Sequence, residues 1–231
     1  MVFDRANPLH VQDVRLRLSA PRLAPYDVAA AHDHEESLNL YEWNLAVSAA
    51  CYKSLHAVEV CLRNTINDQL GAFHTRQRLG GSWLDDPTHL LEPHRRSDIA
   101  EAASRARRKG YRLSPDRIIT ELPFGFWRYL TARRYERTLW EKAIRHGFPN
   151  LRPQRRRAIA EPLERLHFLR NRIAHHEPVY FRDLAADVED MRTILAAMSP
   201  LTYAWAEAIS ALPGVLGDRP AIVRIPLPRC P

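Results

Sequence analysis

The sequence predicts an all-α bundle of about five helices, and three observations carry that prediction. Apolar residues recur at steps of three and four along most of the chain. No stretch alternates apolar and polar residues as a half-buried strand does. Glycine is scarce, at 8 of 231 residues, against 17 prolines. That balance argues against glycine-rich phosphate loops, collagen repeats and β-solenoids.

Leu38, Tyr41, Leu45, Ser48, Tyr52, Leu55, Glu59, Leu62 and Ile66 form one stripe. It predicts a long helix from about residue 35 to Leu70, closed by Gly71. A charged second helix is expected over 92–109. Residues 110–125, with Pro115, Pro123 and Gly125, read as a loop. Trp127, Leu130, Tyr135, Leu139 and Ile144 predict a third helix over 126–146, ended by Gly147 and Pro149. Pro153 opens a fourth, with Ile159, Leu163, Leu166, Arg170 and Ile173 on its stripe, and Pro178 stops it. Leu184, Val188, Met191, Leu195 and Met198 make a fifth, stopped by Pro200, and a helical turn from Leu201 to Ile209 follows. The chain thus divides into an N-terminal extension over 1–34, a helical domain over 35–211 and a proline-rich tail over 212–231, read as extended.

No apolar stretch approaches the roughly 18–20 residues of a membrane span, and the N-terminus lacks the apolar core of a secretory signal. No membrane partner is expected. Of the three cysteines, Cys51 and Cys61 would lie ~15 Å apart along one helix, too far for a disulfide. With Cys230 they show no metal-binding spacing. The reading is a reduced, cytoplasmic protein.

The net charge is +7, carried by 31 Arg and 3 Lys. Arg forks onto phosphates and stacks on bases, which favours a nucleic-acid partner; the codon bias of a GC-rich genome accounts for the same count. Residues 95–157 hold eighteen basic residues against six acids, so the remainder is net acidic. Such a basic middle, including Arg155, Arg156 and Arg157, has the form of a footprint for RNA. Solvated helix faces are the alternative.

Two charges interrupt the apolar stripes. Glu59 falls between Leu55 and Leu62, and Arg170 between Leu166 and Ile173. An unpaired buried charge is costly. The two helices therefore either face each other, with Glu59 meeting Arg170 or a neighbour, or hold both charges at an edge. Glu59 and Arg63 also make an ordinary i,i+4 pair. In the segment Leu169–Pro178, LRNRIAHHEP, Asn171 and His175 share a helix face and Arg170 lies one position round. An imidazole at a helix end, with its pKa near the operating pH, suits acid–base work on a phosphate. His175 and His176 are adjacent, so their rings diverge and do not chelate one ion. The cluster His32-Asp33-His34-Glu35-Glu36 reads as the acidic start of the long helix rather than a metal site. No metal and no cofactor are expected.

Three segments, LYEWNLAVSAACYKSLHAVEVCLRN, LPFGFW and LRNRIAHHEPV, occur in this order over about residues 35–200. Together they resemble the Abi family of abortive-infection proteins, which is similar to the HEPN superfamily. The superfamily signature is an Arg, usually a polar residue next, and then a His; Arg170 to His175 matches its RNxxxH form. The resemblance implies an all-α HEPN bundle and a metal-independent endoribonuclease of antiphage or toxin type. In that family the ribose 2′-OH attacks the adjacent phosphate. The resemblance makes His175 the acid–base residue, Arg170 the stabiliser of phosphorane charge and Asn171 an orienting group. Glu59, Arg63, Asn64 and His176 carry over as supporting or substrate-contact residues. It also implies a homodimer that joins two motif helices in one cleft, and leaves room for an antitoxin or regulatory partner. The other expectation is a HEPN module that binds RNA, a nucleotide or a protein without cleaving.

Overall fold

A computed structural model describes residues 2–221. Among these residues the regular elements are all helical: ten α-helices, joined by 3-10 turns and one π-helical stretch. The all-α class holds, with more and shorter helices than the sequence suggested. The chain divides into two compact units. Residues 2–53, 171–185 and 210–221 form the first; residues 54–170 and 186–209 form the second.

The first unit begins with α1 (Pro8–Leu18) and α2 (Ala20–Ala29), inside the segment read as an extension. Asn7 caps α1 by accepting the Leu9 N–H at 3.0 Å, with Pro8 at the first helical position. Arg15 grips Asp27 through Nη2 at 2.8 and 3.0 Å, and the Ser37 hydroxyl donates to the same carboxylate at 2.6 Å. Burial opposes ionisation there, but Ser37 and Arg15 outweigh it and hold the Asp27 carboxyl below the usual range. Next comes α3 (His34–Arg76), whose first turn is capped by Asp33 through the Glu35 and Glu36 N–H groups at 2.9 and 3.0 Å. That gives the acidic cluster its capping role. The core of this unit gathers Leu23, Tyr26, Leu40, Trp43, Val47, Cys51, Val179 and Tyr180. Residues 212–217, expected to be extended, form α10 (Leu212–Gly217). Leu212 is buried and the Val215 carbonyl accepts from Trp43 Nε1 at 2.7 Å. Residues 222–231, with Cys230, lie outside the described residues.

The second unit takes the remainder of α3. Gly71 does not end this helix: a single interior Gly costs only about 1 kcal/mol relative to Ala. The stop comes at Arg78, in the left-handed region at φ 57. There the Arg78 N–H bonds Thr75 O at 2.9 Å and the Leu79 N–H bonds His74 O at 3.5 Å, the pairing of a Schellman cap. The charged helix follows as α4 (Pro93–Arg108). The supposed loop contains α5 (Pro115–Glu121), because Ser114 caps it and Pro115 opens rather than breaks it. The third helix is broken. Its first piece, α6 (Phe124–Tyr129), stops where the Arg156 guanidinium takes the Thr131 carbonyl at 2.9 Å and Ala132 turns extended. A π-helical stretch (Glu136–Trp140) and a 3-10 turn (Ile144–Gly147) complete the segment. The fourth helix, α7 (Arg157–Ala174), starts four residues after Pro153. Then come α8 (Leu184–Met198), which matches expectation, and α9 (Pro200–Ala208), capped by Ser199. The core collects Leu55, Leu62, Ile66, Phe124, Phe126, Trp127, Leu163, Leu166 and Leu169.

By length and composition α3 alone among the described helices is apolar enough to cross a membrane. That corrects the expectation that no stretch approaches such a span. Its apolar side chains contribute to the cores of both units.

Candidate functional site

The expected motif occupies the last turns of α7. Ile159, Leu163, Leu166 and Leu169 bury one face of the helix, and Arg170 follows directly at its half-buried edge. The boundary between the units falls between Arg170 and Asn171.

On the first-unit side, the helix ends in a second Schellman cap. The His176 N–H bonds Ile173 O at 3.0 Å, and the Glu177 N–H bonds Arg172 O at 2.8 Å. His176 takes the left-handed conformation at φ 57, a place usually filled by Gly. His175 is thereby the residue just before the turn, exposed, with its N–H on Asn171 O at 3.0 Å. Two arginines brace the turn. Arg172 donates from Nε and Nη2 to Pro178 O, both at 3.0 Å, pairs with Glu177 at 3.1 Å and lies over the Phe181 ring. Arg22 donates to the His176 carbonyl. The result is an imidazole held in solvent at a rigid helix end.

On the second-unit side, Arg170 acts on two titratable groups. Burial raises the Glu59 carboxyl above its ordinary value, against the pull of Arg170, Arg63, His56 and the Phe124 N–H. Glu59 and Arg170 therefore do influence each other, with burial the stronger effect. The Arg170 Nε is itself buried with no hydrogen-bond partner. Arg63 donates to the exposed Asn64 side chain at 3.2 Å. The second group is His167, which the sequence reading missed. It lies three residues before Arg170, with its ring 5.9 Å from Phe124 and 6.4 Å from Tyr129. Burial, then Arg128 and Arg170, lower its pKa and favour the neutral ring. Gly125 permits this approach: a Cβ there would stand 3.1 Å from His167 Nε2. The signal available in the sequence was the i,i+3 spacing of His167 and Arg170 beside the Gly of LPFGFW.

Of the three basic residues singled out at the start of α7, Arg155 and Arg157 are exposed. They line an open cleft of about 740 Å³ with Lys142, Arg145, Gln154 and two acids, Glu136 and Glu141. Arg157 also borders a second cleft of about 490 Å³ beside Arg128 and Arg133. Arg156 lines both clefts as well, but from a largely buried position. Its exposure is 7%, and its guanidinium is held by Thr131 O and faces Glu136 at 3.5 Å.

Among the described residues, no group of three or more His, Cys, Asp or Glu is placed to hold a metal ion. Compared with family models, with curated proteins and with solved structures, the chain matches none.

Proposed function

We propose that this chain is a cytoplasmic, metal-independent endoribonuclease of the HEPN type, acting as an abortive-infection or toxin effector. The observation that carries the reading is the RNxxxH segment at the capped end of α7, with His175 exposed and Arg170 and Asn171 on the same helix. Exposed Arg155 and Arg157 add a cationic surface for the phosphate backbone.

RNA carries its own nucleophile, so the protein supplies positioning, proton transfer and charge stabilisation. The 2′ oxygen forms a bond to the adjacent phosphorus, the bond to the 5′ oxygen breaks, and His175 serves the proton transfers. Arg170 stabilises the phosphorane charge. The products are a 2′,3′-cyclic phosphate and a 5′-OH. A homodimer completes the site by adding a second motif helix.

The second reading is a module that binds RNA without cutting it; the open basic clefts favour it, since they need no acid–base group. Incubation of labelled RNA with the full chain in excess chelator separates the two. Cleavage by the wild type, lost in a His175→Ala protein with an unchanged melting curve, is the expected result. Binding without cleavage by the wild type overturns the nuclease reading.

A further inference from the structure

The stripe of α3 behaves differently in its two halves. Leu38 at its start and Leu55, Leu62 and Ile66 further on are buried as a core stripe should be, but Leu45 and Tyr52 between them on the same stripe are 51% and 52% exposed. In the first unit the core has moved round the helix to Leu40, Trp43, Val47 and Cys51. Tyr41, Leu45, Ser48 and Tyr52 instead form the floor of an open cleft of about 620 Å³, walled by α2 and the capped end of α7.

We infer that this cleft receives an unpaired base of single-stranded RNA, next to the helix end that carries His175. The inference rests on the reading of the protein as RNA-binding and names where the bases go. Three features support it. First, the cleft offers aromatic faces on a fixed frame. Tyr41 meets Tyr26 edge-on at 5.2 Å, and Tyr26 rests on Tyr180, whose hydroxyl donates to Pro25 O at 2.8 Å. Tyr52 is left with its ring in solvent, as a stacking platform requires.

Second, the polar groups are donors at fixed positions. Asn44, which lines the cleft, accepts the Val179 and Tyr180 N–H groups at 2.8 and 3.1 Å through Oδ1, which orients its amide; the NH₂ end is a donor. Arg22 spends one N–H on the His176 carbonyl and retains four others. Base edges rich in ring nitrogens and carbonyls accept from such groups.

Third, the charge suits a nucleotide. Glu177, the one acid on the lining, is paired with Arg172, which leaves Arg22 to meet the phosphate. An apolar partner helix would bury Arg22 and Ser48 against itself, so the lining disfavours that occupant.

The test is fluorescence anisotropy with the full chain and three probes carrying 2′-O-methyl sugars, which 2′-OH attack cannot cleave: a 12-nucleotide single strand, the same strand with one central base removed, and the duplex. Stacking of one base is worth about 1–3 kcal/mol, so the intact strand should bind roughly 5- to 150-fold more tightly than the abasic one. Tyr52→Ala should remove that preference while leaving affinity for the abasic strand unchanged, and Tyr52→Phe should keep it. Because Tyr52 is exposed, both variants should melt as the wild type does. Equal binding of all three probes by the wild type, or an undiminished preference in Tyr52→Ala, overturns the cleft assignment while the RNA reading stands. Failure to bind any probe overturns both. A change in oligomeric mass on Tyr52→Ala, seen by light scattering, makes the face an interface between copies and also overturns the assignment.

Discussion

The two halves of α3 share one helix and one apolar period, yet the stripe lies in the core at Leu55, Leu62 and Ile66 and leaves it between Leu38, which is buried, and Leu55. In the second unit Leu62 and Ile66 are fully buried; in the first, Leu45 and Tyr52 stand in solvent. Periodicity reports that a face is apolar, not what covers it. Where Trp43, Val47 and Cys51 supply a second apolar face, the first is released for another purpose.

The sharpest way to break this comparison is truncation. Leu62→Ala should cost about 2–5 kcal/mol by denaturant unfolding, as a large-to-small change in a filled core does. Leu45→Ala should stay within about 0.5 kcal/mol of the wild type, as an exposed substitution does. Equal losses at both would restore a single core stripe. Gly147→Ala comes next. A Cβ there would stand 2.4 Å from Thr65 Cγ2 and 3.2 Å from Gln69 Cγ on α3. Overpacking of this kind costs typically about 1–3 kcal/mol, and a melting temperature equal to that of the wild type would remove Gly147 as a close-approach position.

The half-buried Glu59 gives a pH-dependent prediction. Its folded pKa is raised, so the native state binds more protons than the unfolded chain between the ordinary carboxylate value and the raised one. Its contribution is full below the ordinary value, about 4.3, and is lost as pH rises through the folded one. Glu59→Gln should therefore gain stability relative to the wild type on going from pH 3.5 to 7.5, in urea midpoints taken at both. An unchanged difference would mean that Arg170 and Arg63 fully offset burial. The smallest effect is expected at His176. Its left-handed backbone disfavours a side chain, so His176→Gly should raise stability by up to about 1 kcal/mol. A clear loss would show that the imidazole itself supports the turn.

Much of the helical content was legible, and so was the position of the motif at a helix end. Leu184–Met198 was readable because its stripe is clean and Pro200 stops it. The helix ends were less readable, because three of them use left-handed Ala31, Arg78 and His176 where the sequence offers no Gly. The segment after Leu130 was misread for another reason. The helix ends at Tyr129, where the Thr131 hydroxyl and N–H both bond the Arg128 carbonyl, and Arg156, 25 positions away, takes the Thr131 carbonyl, a bond that no local pattern records. The same contact explains why Arg156, identical in type to its neighbours, is not a surface cation. His167 was missed because an imidazole on a half-buried edge has no periodic signature. Its place became visible only beside Gly125 and Phe124.

The proposed reaction, in which the RNA supplies its own nucleophile and His175 and Arg170 act on it, requires a 2′-OH at the bond that is cut. The most direct measurement is cleavage of one defined oligoribonucleotide and of its copy carrying a single 2′-deoxy sugar at the mapped cleavage position, both in excess chelator. The account predicts cutting of the first, with a 2′,3′-cyclic phosphate end, and none of the second at that position. Equal cutting of the two strands would contradict it.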